Sequence, residues 1–125
     1  MLAEQAKEFK PELVAIRDST KEAELSNLLA GTGISVISGK QAAEKAASYK
    51  GNHLVVVAIT GYAALRPLLA AIDSGFQIAL ANKESMVAAG DLVNKRLAKS
   101  KSRLIPVDSE HNSICLLYTS DAADE

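Results

Sequence analysis

Two carboxylates and an imidazole stand together at Asp108-Ser109-Glu110-His111, directly after the apolar run Leu104-Ile105-Pro106-Val107. Such a run predicts a buried strand, and in an open α/β sheet ligands collect outside the carboxyl ends of the strands. On that loop Asp108 and Glu110 are candidate oxygen ligands for a hard divalent cation. Two oxygens do not fill an octahedral shell, so magnesium or manganese there would need a further carboxylate, a substrate or water. The same residues also fit a plainer role, with Asp108 or Ser109 capping the next helix and Glu110 solvated in its first turn. His111 reads as a helix-start residue ahead of a metal ligand.

Three other residues have types suited to binding. Gly61 would let backbone approach a phosphate or ribose, while Asn82 and Lys83 offer hydrogen bonds and a cation. Each has an alternative in ordinary turn chemistry or, for Lys83, a solvated surface charge. No G-x-G-x-x-G or P-loop is present, since Gly31-Thr32-Gly33 follows a predicted helix instead of a strand. A G-x-S-x-G elbow and a paired-cysteine zinc pattern are absent as well.

The elements that must position these residues alternate along the chain. Leu2, Ala6 and Phe9 have helical spacing that Pro11 ends, and Leu13–Ile16 is a short buried strand. Ser19 and Glu22 predict a capping box for a helix closed by Gly31, followed by a strand at Ile34–Ile37. A helix over Gln41–Tyr49 leads to Leu54–Ile59, an apolar run without alternation that should be covered on both faces. A helix over Ala63–Asp73 tolerates Pro67 near its first turn, and Phe76–Leu80 is the fourth strand. Met86–Ala89 and Leu92–Ala98 predict helix interrupted around Gly90, and Arg103–Val107 the fifth strand. One strand in roughly every 20 residues, without hairpin signals, predicts a doubly wound parallel sheet. The loops at Asp18, Ser38-Gly39, Thr60-Gly61, Asn82-Lys83 and Asp108–His111 would then share one crevice.

Composition sets the bounds. At 125 residues the chain is one domain at most, and 48% hydrophobic with 23% charged residues is ordinary for a water-soluble fold. A formal charge of -1 gives no electrostatic grip on nucleic acid. The single Cys115 excludes an internal disulfide, and neither a signal peptide nor an apolar run long enough to cross a membrane is expected.

Ala81-Asn82-Lys83-Glu84-Ser85, together with the segment from Pro106 through Ile114, resembles the paired signature segments of the 1-deoxy-D-xylulose 5-phosphate reductoisomerases. Val57-Ala58-Ile59-Thr60-Gly61 is similar to the family segment that touches the nicotinamide cofactor. The resemblance covers about residues 1–114 and implies an incomplete Rossmann-like NADPH-binding domain carrying the start of a metal site. It implies that Ala58, Ile59, Thr60, Asn82 and Glu84 lie against NADPH, that Lys83, Ser109 and Glu110 bind substrate, and that Asp108 and Glu110 hold magnesium, manganese or cobalt. Lys83 and Glu110 would be catalytic. The implied reaction is the NADPH- and metal-dependent rearrangement and reduction of 1-deoxy-D-xylulose 5-phosphate to 2-C-methyl-D-erythritol 4-phosphate, in the non-mevalonate isoprenoid pathway. A small phosphorylated sugar is then the partner, with no nucleic acid or membrane, and the enzyme is a cytoplasmic bacterial homodimer. The family pattern also has an earlier strand with a glycine-rich phosphate turn and a later acidic ligand, neither matched here, so this segment alone is expected to be inactive. Residues 115–125 depart from the pattern and read as a non-family tail, the translation of a sequencing adapter. The alternatives are a non-catalytic Rossmann-type nucleotide- or metal-binding module and an inactive truncated fragment.

Overall fold

The computed structural model describes residues 1–107, and in that span every paired strand is parallel. Helix α1 (Leu2–Phe9) turns Ala6 inward and ends at Lys10, whose N–H donates to the Ala6 carbonyl at 2.9 Å and whose left-handed φ of 48° then turns the chain out of the helix. Pro11 cannot continue the helix, and strand β1 (Leu13–Ile16) begins two residues later. The remaining elements are α2 (Glu22–Leu28), β2 (Ser35–Ser38), α3 (Ala42–Ala47), β3 (Leu54–Val57), α4 (Leu65–Asp73), β4 (Gln77–Leu80), α5 (Glu84–Ala98) and β5 (Arg103–Pro106). This is the expected α/β alternation.

The hydrogen bonds divide the five strands into two groups instead of one sheet. Strand β1 pairs with β2 from Leu13 opposite Ser35 to Ile16 opposite Ser38. Strands β3, β4 and β5 form the second group, with Val57, Leu80 and Pro106 in register at their carboxyl ends. Helix α3 packs on both β1 and α4 and so ties the groups together. Between them lies a cavity of about 830 Å³ whose walls include Ala15, Val55, Val57, Ala43 and Pro67.

Two apolar clusters hold the groups. Ala6, Val14, Leu25 and Leu29 form the smaller. The larger contains Val57, Leu68, Ile72, Ile78, Leu80 and Val93. Leu68, Ile72, Ile78 and Val93 are fully buried, and each such side chain contributes about 1.5–3 kcal/mol by leaving water. The most fully buried side chains therefore come from α4, α5 and the middle strand β4.

Three local expectations change. Strand β3 is covered on one face only: Val57 is buried, whereas Leu54 and Val56 are 51% and 62% exposed. Across the ladder Val56, Ala79 and Ile105 form a row on that open face. The Ser19–Glu22 capping box does not form. Asp18 caps the turn instead, its Oδ1 accepting from the Thr20 N–H at 3.0 Å and hydroxyl at 2.6 Å, while Glu22 accepts from the Ser38 hydroxyl. These bonds hold the Asp18 carboxyl below its usual value, with the Thr20 hydroxyl the main cause. Finally, the turn after β3 is a 3-10 helix (Gly61–Ala64), which delays α4 to Leu65 and leaves Pro67 in its first turn. The predicted interruption near Gly90 is present at Ala89, whose φ of -145° and ψ of 30° leave the helical region.

Candidate functional site

The carboxyl ends of β3, β4 and β5 set the site because parallel pairing brings their exits to one edge. The ladder continues past the strands: the Ala81 N–H donates to the Val57 carbonyl at 2.9 Å, and the Val107 N–H to the Leu80 carbonyl at 2.8 Å. The chain after β3 therefore runs beside the chain after β4. Ala58, Ile59 and Thr60 leave β3 with exposed side chains, and Gly61 turns the chain with a φ of 71°. That left-handed conformation crowds a Cβ against the backbone in every other residue type, which is the reason for glycine here.

Asn82 holds this corner. Its side chain is 3% exposed, and its amide nitrogen donates to the carbonyls of Ile59 at 2.8 Å and Gly61 at 3.0 Å. Its side-chain oxygen accepts from the Ser85 N–H at 2.8 Å, occupying one of the free donors at the start of α5. The reverse amide orientation would set an oxygen against two carbonyls, so the network fixes which atom is nitrogen. Lys83 is exposed at the head of α5, and Glu84 is half-buried in its first turn, where a carboxylate suits the positive end of the helix dipole.

Of the residues expected to meet NADPH, the structure gathers Ala58, Ile59, Thr60, Asn82 and Glu84 at one edge, with Lys83 beside them. Asp108, Ser109 and Glu110, as well as His111, lie outside the described residues. Among the described residues no group of three or more His, Cys, Asp or Glu side chains is placed to hold a metal ion.

Of the described residues expected to share one crevice, only Gly39 lines the cavity between the strand groups, together with the neighbouring Arg17, Lys40 and Ile59; Asp18, Ser38, Thr60, Gly61, Asn82 and Lys83 do not line it. Arg17, Lys40 and Arg66 face it with Glu44, whose carboxylate lies 3.9 Å from the Arg66 guanidinium. These three cations were not singled out in the sequence. Their signal is position, since Arg17 directly follows the β1 run and Lys40 follows the Ser38-Gly39 turn.

Residues 1–90 match the family model described as 1-deoxy-D-xylulose 5-phosphate reductoisomerase. A relative of that name from Gluconobacter oxydans is 45% identical over 114 residues, which are 91% of this chain and 28% of the relative. Another from Chlorobium chlorochromatii is 47% identical over 113 residues, 90% of this chain and 30% of the relative. The crystal structure of DOX-P reductoisomerase in complex with NADPH, fosmidomycin and magnesium superposes with a TM-score of 0.83 at 41% identity, covering 89% of this chain and 28% of that one. The enzyme from Zymomonas mobilis in complex with NADPH gives 0.82 at 40% identity, covering 89% and 29%. The chain thus spans under a third of the relatives it matches, and its strands and helices follow their Rossmann-like α/β arrangement. On this evidence the chain belongs to the 1-deoxy-D-xylulose 5-phosphate reductoisomerase family.

Proposed function

We propose that this chain supplies part of the NADPH site and the start of the metal site of an enzyme converting 1-deoxy-D-xylulose 5-phosphate to 2-C-methyl-D-erythritol 4-phosphate. The observation that carries the reading is the latched corner, where Ala58–Gly61 and Lys83-Glu84 converge at the carboxyl ends of adjacent parallel strands. It coincides with the segments matched to relatives whose structures contain NADPH.

In this reading the Ala58–Thr60 backbone lies along the nicotinamide end of the cofactor. The small Ala58 and short Thr60 side chains on either side of Ile59 allow close approach, and Glu84 and Asn82 complete that wall. Lys83, exposed at the helix start, binds and polarises substrate oxygen together with Ser109 and Glu110. Asp108 and Glu110 hold magnesium, manganese or cobalt; carboxylate oxygens are the donors those hard cations take, and a further carboxylate, substrate or water completes the shell. When bound, NADPH supplies hydride and the metal supplies Lewis acidity at neighbouring substrate oxygens. The protein's part is to orient both against the sugar phosphate. The active assembly is a cytoplasmic homodimer acting on this small molecule alone.

No glycine-rich phosphate turn occurs in the 125 residues, so the backbone donors that would hold a pyrophosphate are missing from this segment. The chain alone is therefore expected to give no turnover. The test is a chimera in which residues 1–114 replace the matching segment of the Gluconobacter oxydans relative. Substrate-dependent NADPH oxidation by the chimera, with none from the 125-residue chain, is the expected outcome. A folded chimera that binds NADPH but never oxidises it would overturn the reading, as would turnover by the chain alone.

A further inference from the structure

We infer that Asn82 is a positioning residue whose side chain is consumed by the protein, so that the NADPH surface at this corner is the Ala58–Thr60 backbone that Asn82 holds in place. The inference rests on the reading above and sharpens it, because Asn82 there forms part of the cofactor wall.

Its hydrogen-bond capacity is the reason. A side-chain amide has two N–H donors, and both are directed at protein carbonyls, those of Ile59 and Gly61. The oxygen is directed at the Ser85 N–H, and the residue is 3% exposed. A dinucleotide could take a donor from this amide only by breaking a buried bond within the corner, and burial closes off the second lone pair of its oxygen. The three bonds join partners that no strand ladder connects: the exit of β3, the turn into α4 and the first turn of α5. Ile59 and Gly61 lie 23 and 21 residues before Asn82, so the latch fixes a distant loop while the local bond to Ser85 anchors the latch itself.

The donor and acceptor halves can be separated by substitution. Asn82→Asp keeps an oxygen for the Ser85 N–H but loses both donors, and burial among carbonyl dipoles would raise the pKa of the new carboxyl. Once protonated, that carboxyl regains one donor. Asn82→Ala loses all three bonds.

In the 125-residue chain, amide exchange at Ser85 should stay within about twofold of the parent in Asn82→Asp and rise about tenfold in Asn82→Ala. The carbonyl-carbon resonances of Ile59 and Gly61 should move in Asn82→Asp at neutral pH and return toward parent positions on acidification, a profile absent from the parent. Unchanged carbonyl resonances in Asn82→Asp, or Ser85 exchange as fast in Asn82→Asp as in Asn82→Ala, would overturn the latch.

In the Gluconobacter chimera, NADPH should shift the backbone amides of Ile59 and Thr60 and leave the Asn82 side-chain amide protons unmoved. Movement of those side-chain protons, comparable to the backbone shifts, would establish direct contact and refute the inference. A chimera that binds no NADPH would count against the proposed function, while the carbonyl and exchange measurements would still decide the latch.

Discussion

Replacing Gly61 with alanine tests whether the conformation of the β3 exit, and not merely its composition, belongs to the cofactor site. Gly61 has a φ of 71°, and a Cβ built there meets nothing within 4 Å. The substitution therefore brings no clash with neighbours, and its whole cost is backbone crowding. For an L residue in the left-handed region that cost is about 1–2 kcal/mol, offset by about 0.4–1 kcal/mol because alanine also restricts the unfolded chain. A net loss of about 1 kcal/mol corresponds to roughly fivefold weaker NADPH binding if the loop must hold this shape to bind. Asparagine tolerates the left-handed region better, so Gly61→Asn should lose less than Gly61→Ala. Fluorescence titration of NADPH against the Gluconobacter chimera gives the affinities, and thermal melting of the 125-residue chain gives the matching stability order. Parent-like affinity in Gly61→Ala, or a larger loss in Gly61→Asn, would refute the reasoning.

Other expectations follow from the packing and the Asp18 cap. The Ser85 hydroxyl is fully buried and has no hydrogen-bond partner among the described residues, so Ser85→Ala should raise the melting temperature, by about 1 kcal/mol of stability; a lower melting temperature would indicate a partner for that hydroxyl. Leu68→Ala should cost about 2–5 kcal/mol because Leu68 is fully enclosed, whereas Arg96→Ala, which removes a half-exposed ion pair with Asp73, should cost under about 1 kcal/mol; urea titration compares the two. Asp18 has a folded pKa below its ordinary 3.8, so its contribution to stability is present above that value and is lost as pH falls through the lower, folded one. Thr20→Ala should move the Asp18 titration upward toward 3.8 in a carboxyl-carbon NMR experiment, and an unmoved midpoint would contradict the cap.

The parts of the fold that were legible in the sequence are those written in short-range chemistry. Pro11 ends α1, the apolar, largely β-branched run at Leu54–Val57 makes a strand, and the interruption near Gly90 falls at Ala89. Strand exposure was not legible, because an apolar run without alternation does not say which face another element will cover. That is how Leu54 and Val56 come to stand open. Nor could the Ser19–Glu22 pattern reveal that Asp18 would take Thr20 and Ser38 would take Glu22, since the latter bond joins residues 16 positions apart. The site follows the same division. Gly61 and Lys83 could be placed at strand exits from periodicity, and the family resemblance supplied their chemistry. Asn82's commitment to Ile59 and Gly61 is a product of parallel pairing between β3 and β4, which puts two distant turns side by side.

A crystal structure of the Gluconobacter chimera with NADPH and magnesium tests the central claim most directly. The account requires the nicotinamide end against the Ala58–Thr60 backbone, the Asn82 amide still bonded to Ile59 and Gly61, and magnesium on Asp108 and Glu110. A dinucleotide seated away from Ala58–Thr60, or a metal bound without either carboxylate, would contradict it.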